Sequence, residues 1–328
     1  MKERTLVLNN KKTVTIFGGT GFIGSFATDA LLNEGFNVVC ISRDSDMKKN
    51  DLVKGADLEF VDLDKVSEDS LVHLLSGSDY FIFAAGADDR YVPKSPAIDF
   101  FRKANVESTK KVIRAAKKAG VRKGIIITSY FGHFARKHPE WKLTDYHPYI
   151  KSRIEQEDAA VAEADKNFSV VILQLPYVIG AMKGKGSLFK PLIQYCCSSF
   201  PTFFMKGGTA VISVKQIAEA IVQTFKKDLP SSIYPIATKN YSWDQFIQKI
   251  NPQKKKIIHI PTFLLKIFGF FVNLFYRIQG KEGGLNILKY VDIQTKELFL
   301  DTTEFLLPKI EQKELDLAFT EMVKESTT

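Results

Sequence analysis

The stretch Thr13-Val14-Thr15-Ile16-Phe17-Gly18-Gly19-Thr20-Gly21-Phe22-Ile23-Gly24 decides the fold. Its first five residues are β-branched or apolar and run into glycines, which predicts a strand ending in a tight turn. Gly18, Gly21 and Gly24 set a G-x-x-G-x-x-G pattern. Apolar residues then recur at helical spacing, at Phe22, Ile23, Phe26, Ala27, Ala30 and Leu31, and Gly35 stops the helix. Residues 37–42 (NVVCIS) read as the next buried strand. Strand, glycine turn, helix and strand make a βαβ unit. Glycines there let the backbone approach a pyrophosphate, and the helix N-terminus offers free N–H groups to it. Gly18, Thr20, Gly21, Phe22, Ile23 and Gly24 are therefore candidate cofactor-binding residues. The competing reading is a turn that needs glycine only for its own geometry.

Outward from this unit the alternation continues. Strands are expected at 58–62, 80–85, 124–129 and 169–175. Helices are expected at 67–75, with Ser67 as cap, and at 100–119 and 149–164. Continuous apolar strands between helices predict an α/β fold: a doubly wound, Rossmann-type parallel sheet covered on both faces. After Pro176 the rhythm breaks. A helix over 214–225, a strand over 232–237, a helix over 241–250 capped by Ser242, and a polar helix over 311–324 follow. The expected division is a dinucleotide-binding domain over 1–180, joined by 210–230, and a smaller, mostly helical substrate or lid domain over 181–328. Ligands in such folds bind at the carboxyl ends of the strands.

The second strand ends Ile41-Ser42-Arg43. NAD sites place an acid there, to bond the ribose hydroxyls, whereas NADP sites favour a small residue with a nearby Arg. Ser42 stands where the acid is expected, and Arg43 has a fork suited to phosphate. This points to NADP(H); Asp44, next in the chain, keeps NAD(H) open. Asp62 and Leu63 are placed to border the adenine. Ala84, Ala85 and Gly86 have side chains small enough for a cofactor to lie across the strand ends, or simply for tight packing.

Of 328 residues, 45% are hydrophobic and 25% charged, as in ordinary soluble globular proteins. The net charge of +9 comes from scattered lysines, without zinc-finger or helix-turn-helix patterns, so no nucleic-acid partner is expected. Cys40, Cys196 and Cys197 form no disulfide framework and fit a reducing, cytoplasmic setting. The first twelve residues hold no apolar run of signal-peptide length. Residues 257–278 are long enough to span a bilayer, but His259, Pro261, Lys266, Gly269 and Asn273 interrupt them. They are expected to form a buried or lid helix rather than a transmembrane span, with peripheral insertion into one leaflet as the alternative.

Several stretches occur together in one order: GGTGFIG at 18–24, DLDKVSEDSL at 62–71, FAAGA at 83–87, NVEST at 105–109, IIITS at 125–129, YIKSRIEQE at 149–157 and LPYVIG at 175–180. On these the chain resembles an extended or atypical short-chain dehydrogenase/reductase, of the NAD-dependent epimerase/dehydratase and 3β-hydroxysteroid dehydrogenase kind. The resemblance implies a Tyr-x-x-x-Lys pair in which Tyr acts as acid or base at the substrate oxygen. The Lys lowers the Tyr pKa and bonds the nicotinamide ribose. Tyr149 fits, but Arg153 stands where Lys belongs. Arg keeps the charge, yet its planar fork bonds differently. The resemblance further implies Ser129 as the group that holds the substrate oxygen, and contacts to the cofactor from Tyr149, Arg153, Pro176 and Val178.

The family that the chain resembles often has an Arg before the Pro176 region, and its absence here weakens a nucleotide-sugar substrate. Phe189, Phe200, Phe203, Phe204, Phe263, Phe268, Phe270 and Phe271 suggest an apolar pocket or lid, or a plain core. His133, His138 and His147 match no metal-ligand spacing, so no metal is expected. Three readings follow. The first is an NADP(H)-dependent oxidoreductase acting on a carbonyl or alcohol of a fairly apolar small molecule. The second is a non-catalytic NAD(P)-binding redox sensor or assembly factor, which the altered motif would permit. The third is an epimerase or dehydratase using the nicotinamide transiently. A homodimer is expected of such a fold.

Overall fold

The computed structural model describes residues 11–43, 51–182, 186–198, 201–251, 256–301 and 312–327. Asp44, Phe200 and the start of the last polar helix at 311 lie outside them. The first half alternates as β1 (Thr13–Phe17), α1 (Phe22–Asn33), β2 (Asn37–Ser42), β3 (Asp57–Phe60), α2 (Glu68–Leu75), β4 (Tyr80–Phe83), α3 (Ala97–Phe101), α4 (Ser108–Lys118), β5 (Lys123–Ser129), α5 (Phe131–Lys137), α6 (Leu143–Tyr146), α7 (Pro148–Ala162) and β6 (Ser169–Leu175). Then come β7 (Tyr177–Ile179), α8 (Lys190–Cys197), β8 (Thr202–Phe204), β9 (Gly208–Ser213), α9 (Val214–Lys226), β10 (Ser232–Pro235), β11 (Lys239–Ser242), α10 (Trp243–Ile250), β12 (Ile257–His259), α11 (Thr262–Ile278), α12 (Ile287–Gln294), β13 (Glu297–Leu298) and α13 (Gln312–Thr327).

The main sheet has seven parallel strands in the order β10-β6-β5-β4-β1-β2-β3. Alternate residues serve opposite faces, as strand pleating requires. Ile16, Ile82 and Ile125 join Leu31 and Ile221 on one face, under α1 and α9. Phe17, Phe81, Phe83 and Ile126 join Leu71, Val112 and Ala160 on the other, under α2, α4 and α7. Both faces are covered, which is why these strands read as continuous apolar runs.

Past β6 the chain builds smaller pieces. β9 pairs with β7, β11 and β13, and β8 pairs with β12. Tyr241, Trp243, Phe246 and Phe319 form a separate aromatic core with Ile193 of α8. The chain then returns to the first layer, because α9 packs on α1 and β10 becomes the edge strand beside β6.

Two expectations need correction. The helix expected over 100–119 starts at Ala97, and its Arg102–Glu107 segment is π-helical. The stretch 257–278 is not buried: Phe263, Phe268, Phe270 and Phe271 on α11 are exposed, as is Phe203. A plain core reading fits Phe189 and Phe204, which pack on the aromatic core, and fails for Phe203, Phe263, Phe268, Phe270 and Phe271. Among the described residues, no helix is long and apolar enough to cross a membrane.

Candidate active site

β1 lies between β2 and β4, so the crossovers on its two sides diverge and leave a crevice at its carboxyl end. The glycine turn fills that point. Gly18 has φ +83°, and a Cβ there would sit 2.9 Å from the Ala84 carbonyl oxygen. A Cβ on Gly19 would meet the buried Cys40 sulfur at 2.6 Å, and one on Gly24 would meet the Gly18 oxygen at 2.1 Å. Gly24 thus serves the close packing of α1 on the turn. Gly21 is the N-cap of α1; no side chain caps it and its first turn holds no acid. Its free N–H groups and positive dipole end suit an anion. Thr20 Oγ1 and Ser42 Oγ, 2.8 Å apart, tie the turn to the end of β2.

A cavity of about 510 Å³ opens here. Gly18, Thr20, Gly21, Ser42 and Arg43 line one side. Asp62, Leu63, Ala84, Ala85 and Gly86 line the next. Phe22, Ile23 and Gly24 stand behind the turn and are not among its lining residues. Pro176 and Val178 are not among its lining residues either, Val178 being packed in the core with residues of α1 and α9. Asp62 is held below the usual carboxylate range by the Asp64 N–H, with Lys65 and Arg43 adding to it. The far wall comes from residues without a role in the sequence reading: Tyr91, Phe100 and Lys103, whose amine pairs with Asp64 at 3.0 Å.

Tyr149 and Arg153 sit four residues apart on α7 and therefore on one face, both buried. Ser129 ends β5, its Oγ accepting weakly from the Phe131 N–H at 3.4 Å. The Arg153 guanidinium donates to Gln156 Oε1 (2.8 Å) and to the Ala87 carbonyl (3.1 Å); its buried Nε has no partner. Burial pushes the Tyr149 phenol up, the Arg153 charge pulls it down, and hydrogen bonds with Arg153 and Ser129 pull the same way. The Tyr149 N–H donates to the Gly284 carbonyl at 3.0 Å, and the 284 backbone lies against Phe101 and the Tyr149 Cβ. These three residues are not among those lining the cavity; Ala87 links the two, lining the cavity and accepting from Arg153.

Two further residues belong to this neighbourhood. Asn105 is fully buried; its Oδ1 accepts from the Ala87 N–H (2.9 Å) and its Nδ2 donates to Ser152 Oγ (3.1 Å). It fixes the loop after β4 to α7. Burial, reinforced by Asp88, pushes the Asp89 carboxyl up to about 6. Its charge is felt by Tyr149, Tyr177 and Tyr290. Of the histidines, His138 stacks on Trp141 at 4.1 Å, while His147 Nδ1 accepts from the Asn286 N–H at 3.1 Å.

A crevice at the switch point, glycines that exclude any Cβ and an uncapped helix start fit a dinucleotide. A family model described as NAD(P)H-binding matches residues 18–228, well over half of the chain. The chain belongs to the NAD(P)H-binding family. It is 31% identical over 124 residues to an anthocyanidin reductase ((2S)-flavan-3-ol-forming) of Vitis vinifera. That match covers 36% of this chain and 36% of the relative, so the chain spans about a third of the length of the curated relatives it matches. Among solved structures, gox2253 superposes with a TM-score of 0.75 at 19% identity, over 96% of this chain and 98% of that one. A UDP-glucuronic acid 4-epimerase from Bacillus cereus, solved with NAD, gives 0.67 at 15% identity, over 96% and 99%. This NAD(P)H-binding chain shares their fold, a seven-stranded Rossmann sheet with a helical C-terminal region.

Proposed function

We propose that this protein is an NADP(H)-dependent oxidoreductase that reduces a carbonyl, or oxidises the matching alcohol, on a fairly apolar small molecule. The observation that carries the reading is the convergence of Tyr149, Ser129 and Arg153 beside a glycine-turn crevice. Thr20, Gly21 and the start of α1 would hold the pyrophosphate. Ser42 and Arg43 would hold the 2′-phosphate. When bound, the nicotinamide supplies the hydride chemistry.

The chain's own residues handle the proton. Burial outweighs Arg153 at the Tyr149 phenol, so Oη keeps its proton near neutrality. A protonated phenol is a donor, which favours carbonyl reduction. Tyr149 gives its proton to the substrate oxygen, Ser129 holds that oxygen, and Arg153 stabilises the tyrosinate left behind. Phe101, Tyr130, Phe131 and Leu285 share an apolar cluster with Tyr149 and favour an apolar substrate. Residues 181–328, apart from the returning 210–230 segment, are the substrate domain in this reading. The free cysteines among the described residues suit a cytoplasmic location.

The test is NADPH oxidation against a panel of aldehydes, ketones and quinones. Turnover that Tyr149→Phe abolishes supports the proposal. Tight NADPH binding with no turnover on any panel member overturns it in favour of a binding-only role. One observation favours that second reading: the Arg153 fork is already committed to Gln156 and Ala87, where a lysine would be free to move. Substrate conversion with no net NADPH change would instead mark an epimerase or dehydratase.

A further inference from the structure

Helix α11 is turned inside out. Its polar and small residues face the protein: Lys266 pairs with Asp292 of α12 at 2.6 Å, and Gly269 is buried against Ile287 and Leu288. Asn273 donates to Asn286 Oδ1 at 2.8 Å and accepts from the Ile287 N–H at 3.1 Å. The spacing 266, 269, 273 makes this one helix face. The other side carries Phe263, Ile267, Phe268, Phe271, Phe275 and Ile278, all exposed, Phe268 by 66% and Ile278 by 76%. Just before the helix, the sheet partners Ile258 and Phe203 are exposed too. A surface helix of a water-soluble protein has the reverse arrangement, and a patch of this kind marks a contact.

Charge names the partner. Residues 256–281 contain Lys256, Lys266, Arg277 and Lys281 and no Asp or Glu. Lys256 and Lys281 are exposed and bracket the apolar stretch, one at each end. We propose that α11 docks the protein onto an anionic lipid bilayer surface, lying in the interface with its phenylalanines among the upper acyl chains. The flanking cations meet lipid headgroups. At 17 residues the helix is about 26 Å long, and its inner face is fixed to α12, so it lies on the membrane rather than crossing it. A second copy of this chain fits less well. A two-fold contact sets the same surface against itself, so the cationic ends would face cationic ends.

The full chain is incubated with phosphatidylcholine vesicles, with and without phosphatidylserine, and sedimented. Co-sedimentation is expected with phosphatidylserine, weaker without it, and falling as salt rises. Phe268→Glu/Phe271→Glu alters only exposed positions. It should lower vesicle partitioning at least about tenfold while melting temperature and NADPH affinity stay unchanged. If that variant loses stability, Ile278→Glu at the most exposed site takes its place. Absence of binding to phosphatidylserine vesicles overturns the proposal, as does equal binding by the variants. A concentration-dependent dimer that the variants dissociate, with no vesicle binding, overturns it in favour of a second copy.

Discussion

The Arg153 guanidinium lies over the ring of Tyr149, its Cζ 5.2 Å from the ring centroid. A cation there opposes the desolvation that holds the phenol protonated. If Tyr149 is the donor, Arg153 matters most after the proton has left, when it faces a tyrosinate. Arg153→Met should therefore lower kcat for carbonyl reduction by ~10–100-fold, and Tyr149→Phe by ~10²–10⁴-fold, with NADPH affinity largely kept. Steady-state rates with the best panel substrate check this. Unchanged rates in both variants would remove Tyr149 from the chemistry.

In the proposed NADP(H) reading, cofactor choice rests on Arg43. Its charge reaches Asp62, past the end of the neighbouring strand β3, at the edge where a 2′-phosphate would sit in that reading. A hydrogen bond to a charged group contributes about 1.5–3 kcal/mol, less where water screens it. Arg43 is exposed, so Arg43→Ala should weaken NADPH binding by about tenfold and leave NADH within about twofold. Fluorescence titration with both nucleotides decides the matter. Equal losses for the two nucleotides would assign Arg43 to the general surface.

Two glycines of the turn separate stability from binding. Gly→Ala inside a helix ordinarily stabilises it by about 1 kcal/mol. At Gly24 the new methyl would meet backbone, the Gly18 oxygen, at 2.1 Å, so Gly24→Ala should instead destabilise by ~1–3 kcal/mol. At Gly21 the nearest atom is 3.1 Å away, but the methyl would stand at the uncapped start of α1. Gly21→Ala should leave the thermal melt within a few degrees and weaken NADPH binding. Identical melting losses in both variants would contradict this division.

The βαβ start was legible because a continuous β-branched and apolar run gives way to helical spacing across the glycine turn, and both patterns are local. Ser67 and Ser242 were legible as caps for the same reason; each accepts the N–H three residues on. The π-helical turn at Arg102–Glu107 was not. It sits where Asn105 must reach both the Ala87 N–H and the Ser152 hydroxyl, a demand made by distant partners. Asp89 and Tyr91 escaped notice because the segment after β4 has no period to read, and Lys103 because the period of its helix does not say which residue reaches a cavity. Their place on the site comes from how the loop folds back on Asn105. On α11 the interrupting Lys266, Gly269 and Asn273 were visible, but a sequence cannot say which face of a helix meets the protein. The polar face does so here, through Asp292 and Asn286 of α12 and its cap.

The last expectation concerns acid. His147 stands at the N-terminal boundary of α7 without a side-chain capping bond, two residues before Tyr149, and is 1% exposed. Its Nδ1 accepts from the Asn286 N–H and its Nε2 is buried without a partner. Burial depresses its pKa from 6.5 to about 4. A base with a lowered folded pKa contributes stability that is complete above pH 6.5 and lost progressively as pH falls through 4. The full loss is on the order of 3 kcal/mol. Protonation puts a hydrogen on Nδ1, where it opposes the Asn286 N–H and breaks the tie between α7 and the cap of α12. Thermal melts from pH 7 to pH 4 should therefore fall more steeply for the native chain than for His147→Asn, whose side-chain oxygen replaces Nδ1 as acceptor and does not titrate. Parallel curves for the two proteins would mean that His147 is not the group that charges in this window.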